Sequence, residues 1–149
     1  MECDDNILHA AYLKHAYTHA QAHSKCSVQC SSLLLGSHSG IVLIATNLSE
    51  SISSIQNLFF QGCKKGLSFY GMDVYCPMIP NIYDSIGLFE SGVRSITFHK
   101  EYTEIINPEW KSSKSIDFLI KNGVILQGYT GKVTKKNLKV QMGLAEFSP

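Results

Sequence analysis

No apolar run in the sequence approaches the ~20 residues that a bilayer-spanning helix requires, so no membrane segment is expected. There is no CxxC pair, and the five cysteines (Cys3, Cys26, Cys30, Cys63 and Cys76) are odd in number, which suits reduced thiols better than a disulfide framework. Neither sign of charge is in excess: 13 Lys and Arg against 12 Asp and Glu leave a formal net charge of +1, so the chain is no overall polycation and charge alone names no partner. Repeats and low-complexity segments are also lacking. The first residues, Met1-Glu2-Cys3-Asp4-Asp5, are acidic and lack the basic start and apolar core of a secretory signal, from which a cytoplasmic or nuclear location is expected. What remains is a chain of 149 residues with 44% hydrophobic and 17% charged side chains, enough to bury a core as one globular domain.

Apolar positions recur at three and four over residues 6–23 without Gly or Pro, which predicts a first helix. Leu33-Leu34-Leu35 and Ile41-Val42-Leu43-Ile44-Ala45 flank the short segment from Gly36 to Gly40 and read as a β-hairpin. Helices are predicted over 52–65, stopping at Gly66 as C-cap, over 82–90, and over 112–121; strands are predicted over 72–76, 94–99 and 124–127. Helices linking the later strands imply parallel neighbours, and the order αββαβαβαβ argues a three-layer α/β/α sandwich around a mixed five-stranded sheet. The core spans about 6–128, and the tail over 129–149 is expected to pack as an extra turn or helix.

Three stretches, Ser24-Lys25-Cys26 after the first helix, Gly92-Val93-Arg94-Ser95-Ile96-Thr97-Phe98 after the third, and Leu119-Ile120-Lys121-Asn122-Gly123-Val124, occur in an order and spacing that resemble the deoxycytidylate deaminase branch of the cytidine deaminase superfamily, from about Ile7 to about Gln127. The resemblance implies a zinc site built from a His-x-Glu step at the second helix and a Pro-Cys-x-x-Cys step at the third, where zinc acidifies a water and the Glu shuttles protons to the base. Counting back from Gly92 without gaps at family spacing, Pro80 takes the proline position, Asn81 and Asp84 the two cysteines, Ser53 the histidine and Ile55 the glutamate. A rival register seats Cys76-Pro77-Met78 on the Cys-Pro-Met of the family loop, but places Ile79 at the second cysteine and supplies no His-x-Glu. In both registers the water-activating set is replaced, so the resemblance implies a deaminase fold without deaminase chemistry, with no metal and no cofactor. It also places Asn47 where family members carry a sugar-contacting asparagine, an alternative to ordinary turn chemistry at a strand end. The stretch between Asn47 and the second helix is short, as though a substrate loop or second metal site had been trimmed.

Other clusters carry weaker alternatives. His15, His19 and His23 recur every four residues and either chelate a metal or form a polar helix face. Cys26 and Cys30, with His23, are either a redox or metal cluster or buried thiols. Lys132, Lys135, Lys136 and Lys139 either meet nucleic-acid backbone or are solvated, and no aromatic residues interleave them as stacking platforms would. Trp110 is read as a packing anchor at the start of the fourth helix.

The expected function is binding without turnover, of a partner protein, a nucleotide or both, in a homo- or hetero-oligomer. Nucleotide contacts are expected from Asn47, Tyr83 and Asp84, and an interface from Ile82, Ile86 and Phe89 on one helix face. The alternatives are an enzyme with altered, non-zinc chemistry, drawing on Asp84, Cys76 or the helix-one histidines, and a nucleic-acid module using the C-terminal lysines.

Overall fold

A computed structural model describes residues 2–37, 39–135 and 137–149, with side chains from Ile7 onward. Helix α1 (Glu2–His23) leads to the hairpin β1 (Ser31–Gly36) and β2 (Gly40–Thr46), then to α2 (Ser54–Lys65), β3 (Asp73–Tyr75), α3 (Ile82–Glu90) and β4 (Ser95–His99). Helix α4 (Lys100–Ile106), a 3-10 turn (Trp110–Ser112), α5 (Lys114–Lys121), β5 (Ile125–Tyr129) and a small hairpin, β6 (Val140–Met142) with β7 (Ala145–Phe147), complete the chain. The main sheet has the order β2-β1-β3-β4-β5. Strand β1 is antiparallel to both its neighbours, whereas β3, β4 and β5 run parallel, so the sheet is mixed and five-stranded as predicted.

The Leu33-Leu34-Leu35 run is buried on both faces because β1 is an interior strand with helices above and below. Leu34, Val74 and Cys76 point to the core shared with Ile55 and Leu58 of α2 and Leu88 of α3. Leu33, Leu35 and Tyr75 point to the opposite core, filled by Leu13, Ala16, Tyr17 and Ala20 of α1. Helix α2 starts at Ser53, whose hydroxyl accepts the Gln56 N–H, and stops at Gly66, whose left-handed backbone (φ 64°) lets its N–H reach the Cys63 and Gly62 carbonyls.

Two expectations fail. The helix α4 was absent from the predicted order: it follows β4 directly, and only seven residues carry its pattern. Among the described residues the tail forms no helix. Beyond Gly128 it lays Val133, Leu138 and Val140 into the α1-side core and ends in the β6–β7 hairpin. A hairpin wins because Gly143, at φ 73°, allows the tight reversal that a helix would forbid. Trp110 is buried as expected, with its ring edge-on to Phe98 at 5.2 Å, but in the 3-10 turn that precedes α5. None of the described helices is long and apolar enough to cross a membrane.

Candidate functional site

The parallel strands β3 and β4 end on the same side as the N-termini of α2 and α3, the place where open α/β sheets form their crevice. A cavity of about 260 Å³ lies there. It is lined by Asn47, Ser53, Ile55, Asn81 and Asp84, so the gap-free register brings all four replaced positions into one pocket.

The two helix starts build it. Ser53 is the N-cap of α2 and Asn81 the N-cap of α3, where the Asn81 side-chain carbonyl accepts the Asp84 N–H at 2.8 Å. The Ser53 hydroxyl also donates to Asp84 Oδ2 at 2.7 Å, joining the two helices through a side chain on each. Asp84 is 4% exposed. Burial pushes its carboxyl above the usual range, and the hydrogen bonds of Ser53 and Gln56 pull partly back toward it. Ile55, 1% exposed, points into the apolar core.

These residues do not fit a zinc ion. The Ser53 hydroxyl and Asn81 carbonyl are already spent on helix caps, neither is a usual zinc donor, and Asp84 alone supplies an anionic oxygen. Among the described residues, no group of three His, Cys, Asp or Glu side chains is placed to hold a metal ion. Ile55 has no proton to give or take.

In the cavity wall itself, Ser54 Oγ meets Ser32 Oγ at 2.6 Å and lies 3.6 Å from Cys30 Sγ and 4.0 Å from Cys76 Sγ, a buried polar cluster. The hydrogen bond with Cys30, then burial, raises the Cys76 thiol well above its usual range, which leaves it a poor nucleophile. Cys26 is half-buried at the cavity wall and donates weakly to the Asn47 carbonyl, 3.6 Å away.

The other candidates are placed as follows. Asn47 lines the cavity, but its side-chain oxygen accepts Ser24 Oγ at 2.7 Å and the Cys30 N–H at 3.3 Å, while its amide nitrogen donates to the Val28 carbonyl at 2.7 Å. Its main work is therefore to pin the loop after α1 against the end of β2, the turn chemistry that was the alternative. Tyr83 is 79% exposed and is not among the residues that line the cavity. Of the interface residues, Ile82 is half-buried and Ile86 is 38% exposed, but Phe89 packs edge-on against Phe118 of α5 at 5.7 Å, so that part of the expected face is covered within the chain.

His15 and His23 are exposed, while His19 Nδ1 bonds Ser31 Oγ at 2.8 Å, and burial with the neighbouring His23 lowers the His19 pKa. Lys132 donates to the Ser148 carbonyl at 2.6 Å and Lys139 pairs with Glu146 at 3.5 Å, so two of the four tail lysines have local partners. Lys135 is exposed and Lys136 falls outside the described residues.

Sequence reasoning missed the contribution of α4. Its Thr103 hydroxyl donates to the Pro77 carbonyl and accepts the Ile79 N–H, both at 3.1 Å, propping the loop 76–81 that forms one cavity wall. Ile106, Met78 and Ile79 add apolar lining, and Glu50 lies at the exposed rim. The β-branched, seven-residue α4 offered too short a pattern to reveal this.

The fold is cytidine deaminase-like. Solved structures similar to the chain include the dCMP deaminase of cyanophage S-TIM5 crystallised with dCMP and dUMP, at 19% identity and a TM-score of 0.63 over 79% of this chain and 93% of that one. A guanine deaminase from Nitrosomonas europaea matches at 12% identity and a TM-score of 0.63, over 80% of this chain and 75% of that one. The deaminase/reductase of Thermotoga maritima matches at 11% identity and a TM-score of 0.65, over 83% of this chain but only 37% of that one. No protein-family profile and no curated protein matches the sequence.

Proposed function

We propose that this chain is a deaminase-fold binding protein that does not turn over a substrate. One observation carries the reading: where the deaminase mechanism needs metal ligands and a proton shuttle, Ser53 and Asp84 hydrogen-bond each other and Ile55 offers only hydrocarbon. The cavity itself persists, bounded by polar and apolar walls, which supports a small heterocyclic ligand of the nucleobase, nucleoside or nucleotide type. An intracellular location and self-association or pairing with another subunit complete the proposal, the latter through Ile82 and Ile86 of α3.

Metal analysis and a deamination assay on the purified protein test it. The expected result is no stoichiometric zinc and no ammonia release from cytidine, deoxycytidylate or adenosine. Turnover abolished by Asp84→Ala but retained after chelation would establish an altered-chemistry enzyme instead. Turnover lost on chelation would reveal a metal site outside Ser53, Asn81 and Asp84.

A further inference from the structure

The charges around the cavity are one-sided. Among its described lining residues, the charged side chains are Asp84 in the depth and Glu50 at the exposed rim, with no Lys, Arg or His. A bound phosphate would find hydroxyl and amide donors here but no cation to neutralise it, and it would sit between two carboxylates in a partly desolvated space where like charges repel strongly. Asp84, by contrast, is a buried acceptor with capacity to spare: a carboxylate has about four lone-pair sites, and Ser53 and Gln56 together leave some of them open. The apolar part of the wall, Val28, Ile55, Met78, Ile79 and Ile106, suits the faces of a flat ring. At about 260 Å³ the space sits below the ~300–1,000 Å³ usual for drug-sized ligands, which favours a single heterocycle over an extended molecule.

We propose that the cavity selects an unphosphorylated heterocyclic base or nucleoside, held by Asp84 through amino or protonated ring N–H groups, and rejects the corresponding phosphate ester. This rests on the binding reading above and narrows its ligand class. Asp84 thus occupies a metal-ligand position but recognises the ligand directly. A cation close by is Lys114, which lines an adjoining groove of about 400 Å³ that shares Met78, Ile79, Pro80, Asn81 and Ile106 with the cavity. Its ammonium is on an exposed residue at the start of α5 and does not line the cavity that holds Asp84.

Calorimetric titration of the intact chain with deoxycytidine against dCMP, and guanosine against GMP, at ~10 mM ionic strength, where charges act over about 30 Å before they are screened, tests the selection. In at least one pair the nucleoside is expected to bind at least tenfold more tightly than its monophosphate, with the gap narrowing as salt is added. Asp84→Asn, which keeps the side-chain shape, is expected to weaken the nucleoside at least tenfold, while Glu50→Gln at the rim improves only the monophosphate; circular dichroism confirms that each variant is folded. A monophosphate that binds as tightly as its nucleoside, or more so, overturns the inference but not the binding function, and loss of that affinity in Lys114→Ala would locate the phosphate in the adjoining groove. Unchanged nucleoside affinity in folded Asp84→Asn overturns the role given to Asp84. If neither member of either pair binds at millimolar concentration, the small-ligand reading itself fails.

Discussion

Replacing Ser53 with alanine removes two interactions at once, and the structure gives a scale for each. The lost helix cap, the Gln56 N–H bond at 3.1 Å, costs about 1 kcal/mol. The lost bond to the buried Asp84 carboxylate, at 2.7 Å, costs about 1.5–3 kcal/mol because the acceptor is charged and largely buried. Ser53→Ala is therefore expected to lower unfolding stability by about 2.5–4 kcal/mol, where Ser53→Thr, which keeps the hydroxyl, costs much less. In an Asp84→Ala background only the cap remains to be lost, so the same substitution falls to about 1 kcal/mol, and the coupling in a double-mutant cycle is about 1.5–3 kcal/mol. Urea unfolding at pH 7, followed by circular dichroism with shared m-values, measures all four corners. A Ser53→Ala cost near 1 kcal/mol in both backgrounds would refute the claim that this bond joins α2 to α3.

Burial raises the Asp84 carboxyl above its ordinary 3.8, so its contribution to stability is full below that value and is lost as pH rises through the folded-state value; Asp84→Asn should erase this slope in acid-range urea melts. His99 behaves oppositely. Burial lowers its pKa from the ordinary 6.5 against the opposing pull of the Gly131 carbonyl and Glu101, so stability is full above 6.5 and falls as pH drops through that value, and melts at pH 7 and pH 5 should differ less in His99→Gln. Gly62→Ala should lower the urea midpoint, since the added Cβ would lie 2.5 Å from Phe69 Cε1. That ring is held by stacking on Phe59 at 5.3 Å, so overpacking of about 1–3 kcal/mol outweighs the ~1 kcal/mol gain in helix propensity. A raised midpoint would show that Phe69 can move aside.

The elements legible in the sequence were those with long or well-punctuated patterns. Leu33-Leu34-Leu35 and the run from Ile41 to Ala45 marked the hairpin, and Gly66 marked the end of α2 because only its left-handed backbone closes that cap so easily. Counting back from Gly92 singled out Ser53, Ile55, Asn81 and Asp84, and the fold brings these four into the lining of one pocket. The tail was misread because its strands are three residues each, too short to display alternation, and its buried Val133 and Leu138 lie outside any strand. The committed hydrogen bonds of Asn47 were hidden too, because Ser24, Val28 and Cys30 meet it only once the chain has folded.

Thr103 bonds two backbone groups of the loop that forms a wall common to both grooves, Met78 to Asn81. If a molecule in one groove pushed this shared wall outward it would narrow the other, and the two occupancies would then influence each other by the same factor in both directions. Helix α4, which touches the ligand space only through Ile106, thereby sets the stiffness of that exchange. Thr103→Val, which preserves shape but deletes both bonds, would loosen the wall and weaken the antagonism between ligands in the two grooves.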